Sequence, residues 1–274
     1  MHCHRLFTAL GVAASLLTPA PAAAQRWQVD IGGNTVGYDT AGNVTSASIS
    51  PLFEWNRRTV YSTLSGAFAA FEAGQWTSQG RGDLSLLFAP ARRASLFRVE
   101  AVGSLDGSVH SSGYRTAATR GELRFHVAGH SAGVWVGGTG ATGWTSNSTG
   151  IATALGPTAG VWGRHEAWNV TGVWAPYHLE GYWFSELQGR TSASIGAVDL
   201  MGYLGWRGSP SASGLPNATW GGGTVALWFS AQAALVLGAG TYPSDLLQAL
   251  PKGRYLSAAI RLSRRHPAMP RCTR

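Results

Sequence analysis

Five ionisable residues fall at alternate positions of two stretches: Arg98 and Glu100 in LFRVEAVG (residues 96–103), and Glu122, Arg124 and His126 in RGELRFHVAG (120–129). Alternate side chains of an extended strand share a face. Each stretch therefore sets its charges against apolar residues such as Leu123, Phe125 and Val127. If the two stretches pair as a hairpin, Arg98 lies opposite Glu122, or Glu100 opposite Arg124, or both pairs are diagonal neighbours. Every such register makes an ion-paired patch, which either braces a wall or lines a constriction that sorts solutes by charge. Other reactive types are scattered. His110-Ser111 and His130-Ser131 are adjacent in sequence, so a strand would point the two side chains of each pair to opposite faces, and His165-Glu166 falls in a turn. None forms the imidazole–hydroxyl set that acyl transfer needs. His126 and His130 have the spacing of helical rather than strand metal ligands. The sequence predicts no catalytic set, no metal site and no cofactor.

Holding those charges falls to β-strands. Runs rich in β-branched and aromatic residues, broken by Gly, Ser, Asn, Asp and Pro clusters, predict strands at 26–38, 43–55, 59–72, 80–89, 94–107, 113–128, 131–143, 151–163, 167–176, 179–189, 192–206, 219–230, 232–241 and 254–263. That is about fourteen, or roughly 12 or 16 if a pair merges or splits. Every second connection is short: NRRT (56–59), APARRA (89–94), AGHSA (128–132), GRHEA (163–167), GRT (189–191) and SAQ (230–232). The others, such as SLDGSVHSSGYRTA, TGWTSNSTG, GSPSASGLPNAT and TYPSDLLQALPKG, are longer on average. The best helix signal is SDLLQAL (244–250), with Ser244 as N-cap between Pro243 and Pro251.

Alternation alone does not say which solvent each face meets. A water-soluble sandwich buries the apolar face, whereas a membrane barrel turns it to lipid and keeps the charges in its lumen. Three features favour the barrel. Residues 1–24 have a short basic start, an apolar run and the triplet Ala22-Ala23-Ala24, the layout of a signal peptide cleaved after Ala24. Cys3 falls within it, leaving Cys272 without a disulfide partner. Short turns alternating with longer loops are the rhythm of outer-membrane barrels. Tryptophans mark both strand ends: Trp27, Trp55, Trp162 and Trp168 on the short-turn side, and Trp76, Trp144, Trp174, Trp206 and Trp220 on the other. They predict two interface belts, with Trp135, Trp183 and Trp228 nearer mid-strand. Leu123, Phe125, Val127, Leu256, Ile260 and Leu262 are then lipid-facing, and Arg98, Glu100, Glu122, Arg124 and His126 lumenal. After residue 25 no apolar run is long enough for a membrane helix. The formal net charge of +8 is concentrated in short turns and the tail RLSRRHPAMPRCTR. With no recognition helix or aromatic RNA-binding strand motif, it predicts no nucleic-acid partner.

The Gly- and Trp-rich meander and its final strand GRYLSAAIRL, with Leu256, Ala258, Ile260 and Leu262 on one face, resemble bacterial outer-membrane β-barrel proteins. The resemblance covers essentially all of the chain after the signal and reaches the class, not a subfamily. It implies an all-β fold: an antiparallel up-and-down transmembrane β-barrel over 25–263, with short periplasmic turns and longer extracellular loops. A basic periplasmic tail without fixed structure follows at 264–274. The implied location is the bacterial outer membrane. The implied partners are its lipid and the barrel-insertion machinery, which in that class reads the last strand. Such strands usually stop at a terminal Phe or Trp, whereas this chain continues for twelve residues after Leu262. A closed barrel of this size is wide enough for a lumen, so the predicted function is a passive pore for small solutes. The alternatives are a non-conducting structural or adhesion barrel and a lipid-modifying outer-membrane enzyme.

Overall fold

The structure, a computed structural model, describes residues 26–38, 42–56, 60–71, 74–88, 97–148, 150–248 and 251–263. The predicted signal peptide, the 264–274 tail with Cys272, and residues 57–59 and 89–96, on which the predicted turns NRRT and APARRA fall, lie outside the described residues. The strands are β1 (Arg26–Tyr38), β2 (Gly42–Asn56), β3 (Val60–Phe71), β4 (Trp76–Phe88), β5 (Phe97–His110), β6 (Arg115–Ala128), β7 (Ala132–Thr145), β8 (Ala152–His165), β9 (Trp168–Trp174), β10 (Tyr177–Leu179), β11 (Tyr182–Ile195), β12 (Val198–Gly208), β13 (Ala218–Trp228), β14 (Ala233–Tyr242) and β15 (Gly253–Ser263). β9 and β10 are halves of one wall strand, since both pair with β8 on one side and β11 on the other. The gap falls at Ala175-Pro176, where proline has no N–H to give the ladder. The wall therefore has 14 strands, each antiparallel to its neighbours in sequence, and β15 pairs with β1 to close it. Closure removes the free edges that would otherwise template aggregation.

Register keeps its parity at every pairing. The face holding Glu100 on β5 holds Arg124 on β6, Gly137 on β7 and Thr158 on β8, and Asp30 on β1 meets Arg261 of β15 across the closure. The other face carries the exposed apolar residues: Phe97 is 66% and Leu204 68% exposed, and Leu123, Phe125, Val127, Leu256, Ile260 and Leu262 are exposed too. On that outer face the ionisable residues of the described strands sit at strand ends, as Arg115, His165, His178 and Arg254. Ions inward and hydrocarbon outward is the inverse of a water-soluble core.

Three expectations about the chain's path are corrected. GRT (189–191) is not a turn, because Gly189, Arg190 and Thr191 continue β11 opposite Gly172, Thr171 and Val170 of β9. Here the glycine is a wall residue between neighbouring strands rather than punctuation, and the reversal comes at Gly196, with φ +58. Much of SLDGSVHSSGYRTA is strand as well, since β5 runs to His110 and β6 resumes at Arg115. Pairing on both sides holds extended even those Gly and Ser residues that prefer loops. Finally, the described part of SDLLQAL, residues 244–248, forms no helix. Asp245 Oδ1 accepts the backbone N–H groups of Leu247 (2.8 Å) and Gln248 (3.2 Å), closing a turn, while Ser244 is engaged by Arg207 instead of capping.

Two of the predicted belt tryptophans are also corrected. Trp162 and Trp220 share the inward parity of Gly160 and Gly222, and their rings lie against Gly133 and Gly205. Trp27, Trp144, Trp174 and Trp206 are on the outer face and exposed, and Trp55 shares that parity. Trp183, which sequence placed mid-strand, is 60% exposed on the outer face beside the true turn at Glu180-Gly181.

Candidate functional site

The predicted charge cluster forms on the inner face. Of the registers weighed, the structure adopts the one that sets Glu100 opposite Arg124 and Arg98 opposite His126. Arg124 reaches Glu122 at 2.6 Å and Glu100 at 3.4 Å, and His126 Nε2 lies 3.0 Å from Glu100. Ser85 on β4 donates to Glu100 as well. Beneath this network lies Trp135, with Arg124 5.1 Å above its ring and His126 stacked on it at 5.9 Å. Four of the five predicted residues are thus one unit fastened to the wall. Arg98 stands apart, with no ion-pair partner among the described residues.

Glycines let the inner aromatics lie flat. Trp135 covers Gly160 on the neighbouring strand, where a Cβ would overlap its ring. Trp162 on Gly133, Trp220 on Gly205 and Tyr203 across Gly222 and Gly240 repeat the arrangement. Rings that would otherwise project into the interior lie along the wall and cover the glycine backbone. Gly160→Val is expected to displace Trp135, lower stability by about 1–3 kcal/mol through overpacking and shift tryptophan emission to the red. Urea unfolding followed by fluorescence checks both.

Sequence reasoning missed a large inward feature among the described residues. The segment Pro243–Gln248, between β14 and β15, folds into the interior and reaches strands on the far side of the wall. Arg207 on β12 donates to the Ser244 carbonyl (3.0 Å) and hydroxyl (2.9 Å), and Arg120 on β6 meets Asp245 at 3.4 Å. Gln248 is 5% exposed; its side chain donates to Asp106 of β5 and accepts from Thr116 of β6 at 3.2 Å, while Tyr114 donates to its carbonyl. Leu246 and Leu247 pack on Ala154, Leu179 and Phe184, and a Cβ at Gly143 would overlap the Leu247 carbonyl. The half-exposed Arg120–Asp245 pair contributes little, about 0–1 kcal/mol. The buried amide of Gln248 and the leucines are the stronger fastening. A signal was present in SDLLQAL: apolar residues in a predicted loop need a place to be buried.

Between this segment and the β1–β5 wall a cavity of about 620 Å³ remains. Its lining is rich in hydroxyls and amides, including Asn34, Ser46, Ser48, Ser65 and Gln79. The charged groups there are engaged: Arg81 with Asp83 at 2.8 Å, and Asp106 with Gln248.

A closed, even-numbered, up-and-down wall with an apolar outside and ion-paired inside defines the class: the chain is a β-barrel of the outer-membrane type. No protein-family model matches the sequence, and no curated protein matches it. Solved structures with a similar fold include the CymD monoaromatic hydrocarbon channel, with 8% identity, a TM-score of 0.48 and 92% of each chain covered. Another is the Acinetobacter baumannii outer membrane protein Omp33, with 12% identity, TM-score 0.45, and 87% of this chain and 99% of that one covered. CdiB from Acinetobacter baumannii has 9% identity and TM-score 0.42 over 87% of this chain, which spans 60% of its length.

Proposed function

We propose that the protein is a passive pore for small hydrophilic solutes in a bacterial outer membrane, exported by the signal peptide at residues 1–24. The observation that carries this reading is the hydroxyl-lined space of about 620 Å³ left open beside the in-folded segment. Water-filled lumens conduct when a continuous polar path is wide enough. Folded protein in planar bilayers is expected to give discrete conductance steps. Heat-modifiable, hence folded, protein that gives no steps would instead mark a sealed structural barrel.

The same reading makes the exposed apolar face a lipid face. Leu123→Arg, near the middle of β6, is then expected to cost about 2–4 kcal/mol in urea titrations of the barrel in lipid vesicles, and Phe125→Arg, three residues from the strand's end, less. On a face bathed in water the same substitutions would be close to neutral, within about 0.5 kcal/mol.

A further inference from the structure

At the short-turn end, beneath the β6–β7 turn, a second cavity of about 430 Å³ opens. Arg98 and Arg164 line it with His130, Asn169, Thr171 and Trp162. Sequence placed Arg98 among the glutamates. In the structure the neighbouring carboxylate, Glu100, is taken by Arg124, His126 and Ser85, and Arg98 is left facing this space. Arg164 too has no ion-pair partner among the described residues. No carboxylate lines the cavity; Glu166, in the nearby β8–β9 turn, is not part of its wall.

Two guanidiniums turned to one space repel each other unless an anion sits between them. Each presents parallel N–H donors matched to the oxygens of a phosphate or carboxylate, and the Asn169 amide and Thr171 hydroxyl add neutral donors. We propose that this cavity is a binding site for a small oxyanion, a phosphate- or carboxylate-bearing solute met at the short-turn mouth. The site needs the folded barrel but not conductance, so it stands or falls separately from the pore.

Full-length protein folded in zwitterionic detergent provides the test. Inorganic phosphate and, in a separate arm, citrate are titrated against sodium chloride at matched ionic strength, with heat of binding and tryptophan emission as readouts. Saturable binding of either oxyanion is expected, and which arm responds separates phosphate from carboxylate chemistry. Arg98→Gln and Arg164→Gln should each weaken binding about tenfold, as expected for losing a charge-assisted hydrogen bond. Arg98→Lys, which keeps the charge but not the paired donors, should weaken it less than Arg98→Gln does, and Trp162→Phe should lose the emission change while keeping the heat. A response that chloride reproduces, or unchanged binding in heat-modifiable Arg164→Gln, would overturn the assignment. Because Arg164 is exposed, its variant is expected to fold even if Arg98→Gln does not.

Discussion

Replacing residues 244–250 with a short Gly-Ser link is expected to raise single-channel conductance severalfold. The segment begins after β14 but is fastened to β5, β6 and β12, so it obstructs much of the interior it crosses. Its removal exposes the apolar patch of Ala154, Leu179 and Phe184 but leaves every wall pairing intact, so the barrel is expected to fold. Partial release should give partial effects. Gln248→Ala, which leaves the partly buried Asp106 and the buried Thr116 without their amide partner, is expected to make the open level noisier. Arg120→Ala should do little, because its pair is half exposed and screened by salt. Equal conductance with and without the segment would mean that the current flows elsewhere.

The second large effect is on stability. Arg124→Ala removes the one cation shared by Glu100 and Glu122 and leaves two carboxylates on the inner wall, together with the ring of Trp135 that the guanidinium covers. Breaking such a pair costs about 3–5 kcal/mol when the survivors are fully buried. Here the side chains keep between 16% and 25% of their exposure, so water softens the loss and about 2–3 kcal/mol is expected. Glu122→Gln, which keeps a hydrogen-bond acceptor for Arg124, should cost less. Unfolding in vesicles measures both. A change in ion selectivity with no loss of stability would assign the cluster to a constriction rather than to bracing.

The strands, and the division of each into an apolar and a polar face, were legible because alternation is a local signal. The limits of β1 were readable to the residue, and the Arg98/Glu100 and Glu122/Arg124 spacing restricted the hairpin to a few registers, one of which is adopted. Cross-barrel features were not legible. Gln248 and Asp106 are 142 positions apart and Arg120 and Asp245 are 125 apart, and nothing near either residue announces its partner. Trp162 and Trp220 were misplaced for a related reason. Position near a strand end suggests a membrane belt, but parity and a glycine on the next strand decide whether the ring turns in and lies flat. GRT shows the opposite failure, a glycine read as a turn where the ladder simply continues.

The central claim is that RGELRFHVAG is inside out, with Leu123, Phe125 and Val127 in lipid and Glu122, Arg124 and His126 toward the lumen. Single cysteines placed one at a time from Gly121 to Val127 in a Cys272→Ser background, spin-labelled and reconstituted in vesicles, test it position by position. The expected result is a period-two oscillation, with labels at 123, 125 and 127 favouring dissolved oxygen and those at 122, 124 and 126 favouring a water-soluble nickel chelate. The opposite phase, or uniform access of the chelate to both faces, would contradict the account.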